Sequence, residues 1–325
     1  MPAIHVHAFG PPSVLTYDPA PITLTPGPNQ ALIRLHAAGV NPVDTYIRSG
    51  QYARLPSLPY TPGMDGAGEV LALGEGFKRP DIAVGTKVWL CRSITGTYAT
   101  HCLADAKSLC PFNPDQISYE QAAAVGVAYL TAWIALVKKA GATQGETVLI
   151  HGGSGGVGLA AIQFARQIGC TVIATAGTEA GLHQCIMSGA DYAVNHREAD
   201  YERKLLGLTD QKGPDIIIEM LANVNLARDM SMIAQRGRIT IVGNRGEITI
   251  NPRGLMAKDA TVTGMSLFNA TDLEWALAMR ATRDGLAHGT LNPVVRDVLP
   301  LAQAAAAHDL IMQDGSRGKI VLKCD

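Results

Sequence analysis

Residues 151–158 read HGGSGGVG, and within them Gly153, Gly155 and Gly158 set the spacing G-x-G-x-x-G. The chemistry such a loop serves is phosphate binding: its glycines allow a tight turn, a close approach by a pyrophosphate, and tight packing of a helix on the preceding strand. The spacing alone is a weak signal, because glycine suits any backbone that turns sharply or passes close to another. The flanks strengthen it. TVLIH before the loop reads as a strand, and GLAAIQFARQIG (158–169) reads as a helix capped by Gly169. The start of that helix offers free N–H groups and a positive dipole end to phosphates.

About 20 residues beyond such a loop, an acidic side chain ordinarily grips a ribose 2′-hydroxyl. Here Ala176, Gly177 and Thr178 occupy that place, with no carboxylate. Loss of the acid removes repulsion toward a 2′-phosphate, and Thr178 can donate a hydrogen bond to it, so NADPH is favoured over NADH. Glu179 reads as a first-turn residue of the next helix, complementing its dipole.

The other reactive residue types carry less pattern. Cys91, Cys102, Cys110, Cys170, Cys185 and Cys324 show no C-x-x-C spacing, and a chain of 325 residues needs no disulfide framework. Reduced thiols in a cytoplasmic protein are expected. His5, His7, His36, His101, His288 and His308 lack a local motif and read as surface or packing residues. His151 ends the first strand of the loop motif, where packing, loop orientation and ligand contact all stay open.

The elements that must position the loop are legible as a rhythm. Apolar, β-branched runs recur as TVLIHG (147–152), TVIATA (171–176), DYAVNH (191–196), PDIIIEM (214–220), RGRITIVG (236–243) and ATVTGM (260–265), with helix-like segments between. Unbroken apolar strands at this spacing predict a six-stranded, doubly wound parallel sheet of the Rossmann type covered on both faces. The first 120 residues instead hold short alternating runs, ALIRLHAAGV, GAGEVLALG and TKVWLC, broken by prolines and glycines, which predict a mainly antiparallel β domain. AAAVGVAYLTAWIALVKKA (122–140) reads as a long bridging helix. The tail adds helices at TDLEWALAMRATRDG and LAQAAAAHDLIMQ and a strand at GKIVLK. The α/β fold expected is thus a nucleotide-binding domain of residues 124–262 inserted into a second domain built from 1–123 and 263–325.

Net charge is −1, 47% of residues are hydrophobic, and basic residues are scattered, so there is no electrostatic footprint for nucleic acid or an anionic membrane. Neutral charge counts only weakly against RNA, since a local basic patch could lie within it. No secretory leader and no apolar run long enough for a membrane span are visible.

At this point whole stretches become recognisable: GVNPVDTYIRSGQY (39–52), LPYTPGMDGAGEV (58–70), HGGSGGVGLAA (151–161), ATAGTEAG (174–181), NHRE (195–198), IIEMLANVNL (217–226), VGNRGEITINPR (242–253) and MAKDA (256–260). The chain resembles the medium-chain dehydrogenase/reductase superfamily, and within it the ζ-crystallin-like quinone oxidoreductases, over nearly its whole length. The resemblance implies a GroES-like β-rich domain holding a Rossmann domain. It also implies cofactor contacts from Tyr46 near the nicotinamide, from Ser154, Gly155, Gly156 and Val157 at the pyrophosphate, and from Gly177 at the adenosine ribose phosphate. His196 and Asn225 follow, with Val242, Gly243, Asn244, Arg245, Ser266, Leu267 and Phe268 around the nicotinamide half. Similar enzymes often carry a lysine for the 2′-phosphate where this chain has His183.

Zinc-dependent members of the superfamily hold their metal with two thiolates and a histidine. Here the first thiolate position is Asn41, and Met64 and Asp65 replace the usual His-Glu pair, so no metal is expected. Without a metal to acidify a hydroxyl, an alcohol is a poor substrate and an activated acceptor a better one. The reading is NADPH-dependent reduction of quinones, possible in one-electron steps, with Asn41 and Tyr46 as polar groups for the acceptor carbonyl and Thr131 as a further candidate. Reduction of conjugated alkenals or 2-enoyl thioesters is the nearest alternative. A crystallin-like NADPH-binding or RNA-binding protein with little turnover is an alternative of another class. The partner expected is a small-molecule quinone or enone, and the edge segment ATVTGMSLF suggests a homodimer or homotetramer.

Overall fold

The computed structural model describes residues 2–19 and 23–324. Each of the six apolar runs is a strand: β1 (Thr147–Ile150), β2 (Thr171–Ala176), β3 (Tyr192–Asn195), β4 (Ile216–Glu219), β5 (Arg238–Ile241) and β6 (Thr261–Gly264). They pair in parallel in the order β3-β2-β1-β4-β5-β6. That order reverses between β1 and β4, and in open α/β sheets ligands bind beyond the carboxyl ends of strands at such a switch point. The central strands β1 and β4 are buried along almost their whole length, which is why they read as continuous apolar runs rather than alternating ones.

A second, seven-stranded sheet draws on both ends of the chain. Gln30–Val40 pairs antiparallel with Asp65–Leu73, His101–Asp105 and the C-terminal strand Lys319–Lys323, while Lys87–Cys91 bridges Asp65–Leu73 and Leu109–Pro111. Val295–Pro300 joins in parallel beyond Lys319–Lys323. The alternation seen in ALIRLHAAGV is the burial pattern of Gln30–Val40 up to the point where the strand enters the core shared with the helices.

The bridging segment departs from the single long helix predicted for 122–140. It is a short helix Tyr119–Ala123, a second helix Gly126–Trp133 and a π-helical stretch Ile134–Lys139. The break has a physical cause at Asp65. Its carboxylate accepts the Val127 N–H over 2.8 Å, and a Cβ on Gly126 would stand 2.2 Å from the same oxygen. A carboxylate thus takes up a backbone donor that a helix start leaves free.

The two sheets meet at the glycine loop. Gly318 N–H donates to Ser154 O over 2.8 Å, and the stem of Lys319 lies where a Cβ on Gly156 would be, 2.8 Å from Lys319 Cδ. The loop is thereby fixed against the last strand of the chain.

Candidate active site

The glycine loop follows β1 and opens the helix Gly156–Ile168, with Gly155 at its N-cap and Gly169 in the left-handed region at its end. A Cβ on Gly158 would lie 2.4 Å from Gly152 O, and one on Gly153 would lie 2.8 Å from the Ala174 Cβ of β2. Both positions therefore admit only glycine. A Cβ on Gly155 would meet nothing closer than 3.4 Å. The loop is packed tightly toward the sheet and less tightly at Gly155, the helix N-cap, and the first turn of the helix carries no acidic side chain. That is the shape and polarity a pyrophosphate needs.

Beyond β2, Thr178 caps the helix Glu179–Met187, its Oγ1 accepting the Gly181 N–H over 3.1 Å. The hydroxyl hydrogen is left to donate. A Cβ on Gly181 would lie 3.1 Å from Thr178 Oγ1 and 3.2 Å from Ser154 Oγ, so the two hydroxyls border one spot. Gly177 is crowded from the other side: a Cβ there would stand 2.9 Å from both His196 Nε2 and Arg197 Nε. Desolvation, together with the positive field of His151 and Arg197, holds His196 below the usual histidine range, so it is a neutral hydrogen-bonding group at pH 7. Arg197, absent from the sequence-based site, is the fixed cation beside Gly177; its Nη2 pairs with Asp314 over 2.9 Å. The motif NHRE held the signal, one residue past His196. His183 is exposed on the helix after Thr178.

Asn225 and the loop after β5 are organised by Glu219 at the end of β4. Asn225 Nδ2 donates to Glu219 Oε1 over 3.2 Å, and the backbone carbonyl of Glu219 accepts from Val242 over 2.8 Å and from Gly243 over 3.2 Å. Asn223 Oδ1 then accepts the Arg245 N–H over 2.9 Å, and Asn244 Nδ2 reaches Gly246 O. Glu219 belongs to a buried group with His151 and Asp229. His151 Nε2 lies 2.9 Å from Asp229 Oδ1 and its Nδ1 lies 3.2 Å from Thr175 Oγ1. Burial opposes charging of His151, but Asp229 and Glu219 outweigh it and raise its pKa. Burial, against the pull of His151, pushes the Glu219 carboxyl up to about 7. These are the only three residues with metal-capable donors gathered together among the described residues. With both imidazole nitrogens already engaged, the group braces the loop ends of β1 and β4 and offers no lone pair from His151.

A second polar cluster centres on Asn41, the N-cap of the helix Pro42–Arg48. Its Nδ2 donates to Asp65 Oδ2 over 2.9 Å, and its Oδ1 accepts from Lys319 Nζ over 2.5 Å. Lys319 Nζ also lies 3.4 Å from Asp65 Oδ2, and all three side chains are buried. Asp44 closes the network by accepting the Asn41 backbone N–H over 2.9 Å, with the Tyr98 hydroxyl 3.3 Å away and 3.0 Å from His308 Nε2. Tyr46 is on the same helix, half-buried, and Met64 is buried next to Asp65. Thr131 is buried one turn beyond Val127 on the helix tied to Asp65. Leu267 is buried, and Phe268 lies against Tyr52 with ring centroids 5.6 Å apart. Sequence reasoning missed Lys319, because a lysine in a C-terminal strand has no local motif.

Comparison with known proteins decides the family. An alcohol dehydrogenase GroES-like domain model matches residues 27–155, and a zinc-binding dehydrogenase model matches residues 156–282. The human quinone oxidoreductase is 44% identical, the match covering 99% of this chain and 97% of that one. The chain belongs to the ζ-crystallin-like quinone oxidoreductases of the medium-chain dehydrogenase/reductase superfamily. Escherichia coli quinone oxidoreductase solved with NADPH is 30% identical with a TM-score of 0.89, covering 99% of this chain and 100% of that one. An NAD-dependent alcohol dehydrogenase structure is 31% identical with a TM-score of 0.91 and full coverage of both. Against the zinc-dependent branch of this superfamily, the donor set here is an amide, a thioether and a carboxylate with an ammonium among them. It does not fit a catalytic zinc ion, which takes thiolate, imidazole and carboxylate ligands and would be repelled by Lys319.

Proposed function

We propose that this protein is an NADPH-dependent quinone oxidoreductase that works without zinc. The observation that carries the proposal is the Lys319–Asn41–Asp65 network, a hydrogen-bonded cluster built on Asn41, the residue that replaces the first zinc thiolate, and on Asp65, which with Met64 replaces the His-Glu pair. Such a site cannot acidify an alcohol, but it suits an acceptor that is already electrophilic. The relatives named quinone oxidoreductase over almost their whole length, and the one solved with NADPH, support the same substrate class and cofactor.

The residues divide the work. Ser154 to Val157 and the helix N-terminus hold the pyrophosphate, and Gly177, Thr178, His196 and Arg197 hold the ribose 2′-phosphate. In this reading Arg197 supplies the permanent charge that His183 does not. Asn225, Val242 to Arg245 and Ser266 to Phe268 orient the nicotinamide half, with Tyr46 beside it. NADPH, when bound, supplies the hydride. Asn41 spends one amide hydrogen on Asp65 and keeps the second, and the Lys319 ammonium on its Oδ1 polarises the amide into a stronger donor. That hydrogen and the Tyr46 hydroxyl receive the negative charge that develops on the acceptor carbonyl oxygen, and Thr131 borders the same site.

The domain division at residues 124–262, a cytoplasmic location and a homodimer or homotetramer paired through β6 complete the proposal. Among the described residues, edge strand β6 pairs with β5 alone. Among the described residues no helix is long and apolar enough to cross a membrane.

The test is a panel of quinones, conjugated alkenals and 2-enoyl thioesters assayed with NADPH and with NADH. Quinone-dependent oxidation of NADPH, with NADH poorer by tenfold or more, is the expected result. Activity confined to alkenals or enoyl thioesters would overturn the substrate assignment.

A further inference from the structure

Arg92 stands at the acceptor side with its charge unmatched. It follows the strand Lys87–Cys91 with a backbone φ of 66°, in the left-handed region that side-chain-bearing residues seldom adopt. Its N–H donates to Met64 O over 3.0 Å, which pins it beside the Met64–Asp65 turn. The guanidinium carbon lies 4.1 Å from the Trp275 ring centre and 5.8 Å from that of Phe268, and Nη2 donates to Leu267 O. Nε is buried without a hydrogen-bond partner. No carboxylate forms an ion pair with Arg92 among the described residues. Burial lowers the pKa of Arg92 and Cys91 opposes it, while Arg54 adds a second positive charge to the same corner that lowers it further and Asp272 acts in the opposite sense.

Structural needs alone do not explain this arrangement. A neutral donor would satisfy Leu267 O, and an apolar side chain would cover Trp275. Holding a half-buried guanidinium there, at a strained φ and near another arginine, costs free energy that a bound anion would recover. Tyr52 and Phe268, both partly exposed, supply flat apolar faces at the same place, while Trp275 lies buried beneath the guanidinium.

We propose that Arg92, assisted by Arg54, forms a subsite for an acidic substituent on the acceptor, so that the enzyme prefers anionic aromatic quinones to neutral ones. The proposal rests on the quinone-reductase reading and narrows its substrate class. Tyr52 and Phe268 take the planar body of the acceptor, and the guanidinium pairs with a carboxylate or sulfonate attached to it. Because the site is half-buried, the preference is weakened by salt but not abolished by it.

The experiment compares 1,4-naphthoquinone with its 2-sulfonate in the wild type, R92Q, R92K and R54Q, using the ratio of KM values between variants so that intrinsic reactivity cancels. R92Q should raise KM for the sulfonate about tenfold while changing that for the neutral quinone less than twofold, with R92K intermediate; one charge-assisted pair accounts for about that factor. Calorimetry with naphthalene-2-sulfonate, which is not reduced, should show the same loss of affinity in R92Q without any turnover. R54Q, which leaves the Leu267 bond intact, should give a smaller loss of the same sign and covers the case in which R92Q folds poorly. Equal KM changes for both quinones, or sulfonate binding unaffected in R92Q and R54Q, would overturn the subsite. Failure of every quinone to be reduced would instead overturn the quinone-reductase reading, and the calorimetric result would still judge Arg92.

Discussion

The Lys319 ammonium lies 2.5 Å from Asn41 Oδ1, on an amide whose nitrogen donates to Asp65, so one buried cation fixes the orientation of the Asn41 amide. Removing that cation strands a buried carboxylate. K319M, which keeps an unbranched apolar stem against Gly156, should lose about 3–5 kcal/mol of stability by thermal or denaturant unfolding. The double variant K319M/D65N should regain most of that stability, because the uncompensated charge is gone. Turnover should stay low in both, by a hundredfold or more, while NADPH affinity measured by fluorescence changes less than threefold. Recovery of turnover in the double variant would show that Lys319 only stabilises the fold.

Gly158 sits too close to Gly152 for any side chain. G158A should displace the glycine loop, weaken NADPH binding at least tenfold in an equilibrium titration, and lower the melting temperature. G155A, whose Cβ would make only ordinary contacts, 3.4 Å from Gly152 O and 3.9 Å from Ser316 Oγ, should fold as the wild type does and lose affinity only through contact with the cofactor.

Charge at the 2′-phosphate is separable by cofactor. R197Q should raise Kd for NADPH about tenfold and leave NADH nearly unchanged, because in the proposed arrangement the guanidinium meets the 2′-phosphate alone. H183K should tighten NADPH by about threefold to fivefold, the scale of one exposed ion pair. An equal effect of R197Q on NADH and NADPH would place Arg197 away from the phosphate.

Asp44 carries a pH signature. Burial pushes its carboxyl up to about 7, with Asp65 adding to the rise and the Asn41 N–H and Lys319 opposing it. A carboxyl raised on folding binds its proton more tightly in the native state. Its contribution to stability is therefore complete below the unfolded value near 4 and is lost as pH rises through about 7. D44N removes that dependence. The stability of the wild type relative to D44N should fall steadily between pH 5 and pH 8 in unfolding titrations; a difference independent of pH would contradict the assignment.

The parallel sheet was readable because burial on both faces writes itself as unbroken apolar runs, and all six strands fall where those runs fall. The glycine loop was readable for a local reason, since strand, turn and helix are contiguous. The interrupted helix at 119–139 was not, because its break is imposed by Asp65, some sixty residues earlier in the chain. Lys319 and Arg92 escaped for the same reason. Each gains meaning only when the second sheet brings Asn41, Met64 and Asp65 next to residues distant in sequence. Arg197 lay within a recognised motif, but its closeness to Gly177 depends on β2 and β3 being neighbours.

Quinone reduction here runs, in the proposed function, on a buried lysine–amide network in place of a metal. The direct measurement is the rate of NADPH oxidation by 1,4-naphthoquinone before and after exhaustive chelation, with metal content determined on the same sample. The rate should be unchanged, with zinc far below one ion per chain. A rate that falls on chelation and returns when zinc is added would contradict it.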